Sequence, residues 1–175
     1  MTALLARAAL VAALFGCSAA GDAGPEETTP AQPDLVLTPA PGTDVGTLER
    51  VAARWSAATG LDVAVAATGG VLVTYVPIAT MFETVEVCGV THSRADAGPL
   101  DITISSAPPA GKCRDSEQVL VHEVGHALCD ALSGDPGMCH SKHGIMASPS
   151  YALGIDESSL AAVCAYAPCT VMVPE

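Results

Sequence analysis

The stretch His122-Glu123-Val124-Gly125-His126 restricts this chain more than any other, because its chemistry requires a helix. Residues four apart lie one above the other on a helix surface, so His122 and His126 can direct both imidazoles at one metal ion. Glu123 lies about 100° further round the same helix, which keeps it off the metal but lets it take a proton from a water molecule held there. The spacing predicts two zinc ligands and a general base, the signature of a zinc hydrolase.

The residues around the motif predict a buried helix. Asp115 can cap its start and Gln118 can complete a capping box, with Ser116 as the alternative cap. The apolar residues cover almost the whole circumference: Val119, Leu120, Val121, Val124, Ala127 and Leu128. Buried imidazole and carboxylate groups need partners, which a metal ion supplies. The alternative is a pair of core histidines satisfied by hydrogen bonds.

Three segments carry a family resemblance: residues 122–128, the pair His140-Ser141, and the run Gly144-Ile145-Met146-Ala147-Ser148-Pro149. They resemble the metzincin zinc proteases, most nearly the matrixins. The resemblance implies a zincin-like α+β fold with a twisted mixed β-sheet, an active-site helix, a methionine turn at Met146 and a C-terminal helix. It also implies one catalytic Zn²⁺ and hydrolysis of peptide bonds by a zinc-bound water that Glu123 activates.

The chain departs from the family pattern after the second histidine. The consensus has a glycine three residues later and a third histidine three further on, where this chain has Cys129 and Leu132. Residues 134–137, Gly-Asp-Pro-Gly, are a strong turn signal, so we interpret the segment as an insertion closed by a Cys129–Cys139 disulfide. The chain then returns at His140, our predicted third zinc ligand.

Three further residues near the motif are alternatives. His143 is the rival third ligand, but it precedes Met146 by only three residues, whereas His140 leaves six and is followed by a matrixin-like serine. Asp130 lies one turn after the motif on the same helix face, where a role beside the ligands or towards solvent is favoured over ligation. Tyr151 resembles the tyrosine that some metzincins place near the metal, although its spacing does not match.

The N-terminus predicts export. Residues 1–16 carry one charge, Arg7, and an apolar stretch too short to remain as a membrane span, as in a signal peptide. Leu14-Phe15-Gly16-Cys17-Ser18 resembles a bacterial lipobox, which predicts lipidation of Cys17. An ordinary secretory signal cut near residues 19–21 is the alternative. We expect a protein lipid-anchored in the bacterial cell envelope, on the outer membrane or cell surface, with no other membrane contact, or else a secreted one.

The cysteine count agrees with an oxidising compartment. When Cys17 is set aside, an even number remains, six of the seven. Nearness in the chain suggests the pairs Cys88–Cys113, Cys129–Cys139 and Cys164–Cys169 among the connectivities that six cysteines allow. No Cys-x-x-Cys pair is present, which disfavours structural zinc bound through sulfur.

The net charge of −12 argues against a nucleic acid partner, which requires a basic surface. It also disfavours strongly acidic substrates. The chain is 50% hydrophobic and 15% charged, the balance of a globular protein and not of a disordered one. We expect a protein or peptide substrate and a monomeric enzyme.

Composition divides the chain into three regions. Residues 1–16 are the signal peptide, residues 17–42 the lipidated cysteine with a flexible tether rich in Pro, Ala and Thr, and residues 43–175 the protease domain. A pro-segment is the alternative for the tether.

Apolar spacing predicts a helix over residues 44–59 with Trp55 in the core, and Asp156 predicts the cap of a last helix over residues 157–166. Strands are predicted at residues 61–66, 71–76, 85–90 and 100–105, the first two around a glycine turn. The metzincin resemblance implies an edge strand before the active-site helix to which a bound peptide adds, and residues 102–105 are the candidate, a plain sheet edge being the alternative.

The motif fixes the chemistry more closely than the substrate. We therefore predict a zinc endopeptidase and keep two alternatives. One is a zinc hydrolase acting on a non-peptide amide, and the other is a non-catalytic surface lipoprotein that keeps the zinc fold for binding or structure. Glu123 argues against the second, because metal binding alone does not need that carboxylate.

Overall fold

The computed structural model of the protein describes residues 31–77, 88–93, 99–106, 115–133, 139–147, 154–165 and 169–170. All of these except Ala31 belong to one unit, Gln32–Glu175. The predicted signal peptide and Cys17 lie outside the described residues, and so do Cys113 and Tyr151.

Five strands and three helices make up the described part of the chain. In order they are β1 (Leu35–Pro39), α1 (Val45–Thr59), β2 (Val63–Val65), β3 (Val71–Val76), β4 (Gly89–His92), β5 (Asp101–Ser105), α2 (Ser116–Ser133) and α3 (Glu157–Cys164). The strands form one sheet in the order β2-β1-β3-β5-β4. Strand β4 pairs antiparallel with β5, and the other pairings are parallel. The predicted α+β class with a mixed sheet is confirmed.

Strand β1 comes from the 17–42 segment, whose composition predicts a flexible tether. It pairs with β2 on one side and with β3 on the other, and Leu35 and Leu37 point into the core. Residues Leu35–Pro39 are therefore part of the folded sheet. Five residues with buried leucines at alternate positions are enough for a strand when both neighbours supply hydrogen bonds, even where Pro and Thr dominate the surrounding sequence.

The predicted glycine turn joins β2 to β3, but these strands do not pair with each other. Leu37 of β1 pairs with Val65 on one side and with Val71 on the other, so the connection crosses over β1. A Cβ on Gly70 would overlap the main-chain oxygen of Val36. The glycine is required for a close approach of two backbones and not for a hairpin.

The core lies where α1 and α2 pack on one face of the sheet. Helix α1 is capped by the Asp44 side chain, which accepts from Gly46 N, and it ends at Gly60 with φ 74°. Trp55 is fully buried, as predicted, and its Nε1 donates to the main-chain oxygen of Val121 in α2 at 2.9 Å. This bond fixes the two helices against each other.

The edge-strand prediction is wrong. Residues 102–105 belong to β5, which lies between β3 and β4, whereas β4 is the outer strand on this side of the described sheet. Strand β4 begins at Gly89, later than the predicted strand over residues 85–90. A four-residue strand that starts with glycine has a weak sequence signal, and the order of strands across a sheet is not a local property.

The predicted helix caps are present. Gln118 N donates to Asp115 Oδ1 at 2.8 Å at the start of α2, and Ser159 N donates to Asp156 Oδ1 at 2.9 Å at the start of α3. Helix α3 ends at Cys164, slightly before the predicted end at residue 166. None of the helices within the described ranges has both the length and the apolarity needed to cross a membrane.

Two of the three predicted disulfides are confirmed, Cys129–Cys139 and Cys164–Cys169. Cys88 is also disulfide-bonded, and its predicted partner, Cys113, lies outside the described residues. These bonds are compatible with an extracellular or cell-envelope location, because cytosolic thiols are kept reduced.

Candidate metal centre

Three histidines converge at the centre of the molecule's candidate site. His122, His126 and His140 each offer a ring nitrogen, and these atoms lie within 4.8 Å of one another. Helix α2 supplies the first two through their spacing of one turn, and their Nε2 atoms are 3.0 Å apart. Two imidazoles bound to one tetrahedral zinc ion have nitrogens about 3.3 Å apart, given bonds of about 2.0–2.1 Å. The three rings therefore fit a metal centre, and imidazole donors suit zinc, copper, iron and nickel alike.

The Cys129–Cys139 disulfide brings the third histidine to this place. Cys129 lies in α2, three residues after His126, and Cys139 directly precedes His140. Both sulfurs are fully buried, and the Cα atoms are 6.2 Å apart. The ring centroid of His140 lies 4.7 Å from that of His126. The bridge thus returns the chain to the helix immediately before the histidine that joins the cluster.

The main chain of the following loop selects the tautomer of His122. Its Nδ1 donates to the main-chain oxygen of Ile145 at 2.5 Å. A neutral imidazole carries one hydrogen, so Nε2 presents a lone pair to His126. Burial lowers the pKa of His122, the bond to Ile145 partly opposes this, and the nearby His140 lowers it further. Burial and His140 together favour the neutral ring, and the bond to Ile145 places its hydrogen on Nδ1, which leaves Nε2 free as a metal ion requires.

The alternative ligands lie outside the cluster. His143 is exposed and does not belong to the group of three. Asp130 is buried in α2, but its Oδ1 accepts from Ser93 Oγ at 2.6 Å and so joins the residue directly after strand β4 to the helix. Tyr151 lies outside the described residues.

Met146 packs against α2 at Gly125, between the two motif histidines. It is fully buried, and a Cβ on Gly125 would overlap its Sδ and lie 2.9 Å from Trp55 Cζ2. The glycine of the motif is therefore a packing requirement, since it admits the methionine side chain to the helix backbone. A hydrophobic floor next to the histidines is what the run 144–149 predicts for Met146.

Helix α3 holds the loop that carries this methionine. Met146 N donates to the buried Ser159 Oγ at 3.2 Å, and Ser141 N donates to the Met146 main-chain oxygen at 3.0 Å. Gly144 has φ 81°, and a Cβ there would overlap the Asp156 carboxylate. The cap of α3 and the loop that carries Met146 therefore pack against each other. No local sequence pattern indicates this contact.

Replacing Gly125 by Ala is expected to destabilise the protein by about 1–3 kcal/mol, because the added methyl group overfills the space of Met146 and Trp55. Displacing Met146 is also expected to disturb the Ile145 carbonyl and so to weaken metal binding at His122. Urea unfolding and chelator competition measure the two effects.

Gly154→Ala is the matched control, because nothing lies within 4 Å of a Cβ at that exposed position. Wild-type stability and metal affinity in Gly125→Ala would contradict the packing argument.

Glu123 lies on the side of α2 that faces strand β4. Its side chain is buried, with 6% of the residue exposed, and Oε2 accepts from Thr91 Oγ1 at 2.8 Å. Burial raises the pKa of Glu123 to about 7, against the opposing effects of Thr91 and His92. A carboxyl group with this pKa can take up a proton and return it near neutral pH.

Sequence reasoning missed the contacts of Glu123 with Thr91 and of Met146 with Ser159. A signal was available for the first, because small residues alternate at Gly89 and Thr91 of β4 and at Ser93 directly after it, as expected for a strand packed against a helix. The family resemblance itself rests on residues 119–149. Comparison of the chain with protein-family models and with curated proteins finds no match.

Proposed function

We propose that the protein is a zinc-dependent endopeptidase in which His122, His126 and His140 hold the metal and Glu123 is the general base. The observation that carries this proposal is the convergence of the three imidazoles. Two histidines and a glutamate at this helical spacing are typical of zinc hydrolases. A third imidazole completes the set of three protein ligands that catalytic zinc sites use, with a fourth position left for water or substrate.

Zinc in such a site lowers the pKa of water and polarises the carbonyl group that is attacked. Hydrolysis of a peptide bond also needs a group that takes a proton from the attacking water and delivers it to the leaving amine. Glu123 suits both steps, because burial raises its pKa to about 7, where a carboxyl group can both accept and release a proton near neutral pH. The carboxyl group follows directly after a ligand in the helix, so its backbone position relative to the imidazoles is fixed.

We propose further that the fold is zincin-like. The mixed five-stranded sheet, the buried helix α2 and the Met146 loop against Gly125 support this assignment. Strand β4 contacts α2 and has no partner on its outer side among the described strands. An extended substrate added there would run beside the helix that carries the histidines, with main-chain hydrogen bonds supplying affinity.

The proposed location is the cell envelope. The disulfides support an oxidising compartment. Lipid attachment at Cys17 rests on the lipobox-like sequence before it, with secretion as the alternative.

The purified protein is expected to bind about one equivalent of zinc and to cleave an unstructured protein such as casein. A chelator should stop the cleavage, and added zinc should restore it, since removing the metal removes the polarising charge. Metal analysis and the appearance of new amino termini measure the two properties.

Folded protein that binds no zinc would overturn the proposal. Zinc binding with hydrolysis only of small non-peptide amides would favour a zinc hydrolase that does not act on peptides. Zinc binding without any turnover would favour a binding or structural role.

A further inference from the structure

We infer that Thr91 is a positioning residue that holds the Glu123 carboxyl in place. This inference rests on the proposed function of Glu123 as the general base. The Thr91 hydroxyl lies 2.8 Å from Glu123 Oε2 and 2.9 Å from the main-chain oxygen of Glu123. One hydroxyl thus contacts both the carboxyl group and the backbone that bears it. Among the described residues, Thr91 is the one side chain that hydrogen-bonds to this carboxyl.

Strand β4 packs against the Glu123 side chain with alternate residues. Gly89 and Thr91 of β4 and Ser93 directly after it face α2, because successive residues of an extended chain point to opposite faces. A Cβ on Gly89 would lie 2.9 Å from Glu123 Cγ and 3.0 Å from Oε1, so the glycine leaves room for the carboxyl. Ser93 bonds to Asp130 further along the helix. Hydrogen bonds therefore join this part of the chain to α2 at two places, at Glu123 and, further along the helix, at Asp130.

Position matters for this residue because a glutamate side chain has three rotatable bonds. A general base must lie within hydrogen-bond reach of the proton it removes, and a small misplacement is costly. Thr91 restricts the carboxyl in advance of the reaction. Since β4 is also the strand to which we propose that substrate adds, Thr91 connects the base to the substrate-binding strand.

Thr91→Val removes the hydroxyl and retains the branched shape. In the full chain it is expected to lower kcat by about 10- to 100-fold. KM and zinc affinity should stay close to wild type, since no ligand and no main-chain group of β4 is changed. Thr91→Ser keeps the hydroxyl and should restore most of kcat. The matched control is Thr103→Val, the same change on β5 opposite Val90, on the face of the sheet that points away from the buried Ile102 and Ile104.

A crystal structure of Thr91→Val supplies a readout that does not depend on activity. The Glu123 carboxyl should lie in a different place from its position in the wild-type protein or take several positions. If Thr91→Val does not fold, Thr91→Ala removes the same hydroxyl with less bulk.

Three results would overturn the inference: wild-type kcat in Thr91→Val, an equal loss in Thr91→Ser, or an equal loss in Thr103→Val. If the wild-type protein hydrolyses no peptide, the proposed function has failed. The position of the Glu123 carboxyl in the two crystal structures then still decides whether Thr91 holds it.

Discussion

Glu123→Gln is expected to reduce kcat for peptide hydrolysis by about 10²- to 10⁴-fold while the protein keeps its zinc. Glutamine has the same shape and its amide oxygen can still accept from Thr91, but it cannot take a proton from water. Glu123 is not one of the three groups that form the metal cluster, so affinity for the ion should change little. Steady-state kinetics with excess zinc and metal analysis of the purified variant measure the two properties together.

Glu117→Gln is the matched control on the same helix. Glu117 lies in the first turn of α2, partly exposed, where it pairs with Arg50 at 2.8 Å. Loss of such a surface ion pair costs little stability and should leave turnover unchanged. Near wild-type hydrolysis by Glu123→Gln would remove Glu123 from the mechanism, whereas loss of zinc from that variant would make it part of the metal centre.

His140→Ala is expected to weaken zinc binding by about 100-fold or more, whereas His143→Ala should retain most of the affinity, because losing a ligand costs more than losing a neighbour. Both residues are exposed, but only His140 contributes a ring nitrogen to the cluster. Chelator competition under non-reducing conditions measures both variants with the Cys129–Cys139 bridge intact. Each variant serves as the control for the other, since both remove an imidazole from the same loop.

If only His143→Ala loses the metal, His143 is the third ligand, and the loop after the disulfide approaches α2 in a different register. If neither variant loses zinc, the third ligand lies elsewhere, and Asp130 is then the next candidate on α2.

The helices and the motif were predictable because their signals are local. The spacing of His122 and His126, the caps at Asp115 and Asp156, and the burial of Trp55 all depend on residues within one or two helical turns. The two confirmed disulfides join cysteines that are close in the chain. Such features follow from helical periodicity and short loops, which the sequence displays directly.

The arrangement of the strands was not predictable in the same way. Leu35–Pro39 form a strand between two others although their surroundings have the composition of a linker. The glycine turn joins β2 and β3 as predicted, but it crosses β1, and β4 is the outer strand in place of β5. Each of these depends on which segments pair across the sheet. Hydrophobic periodicity reports the structure of one segment and does not show which distant segment it pairs with.

In the candidate site, too, the local features were predictable and the contacts between distant elements were not. The sequence by itself determined the two imidazoles and the carboxyl of α2, because one helix carries all three at a fixed spacing. Only the tertiary structure decided that His140 and not His143 joins them, that Ile145 sets the tautomer of His122, and that Thr91 meets Glu123. These contacts join residues on different elements, and a hydrogen bond or a shared ligand position forms only after the sheet, the disulfide and the Met146 loop have brought those elements together.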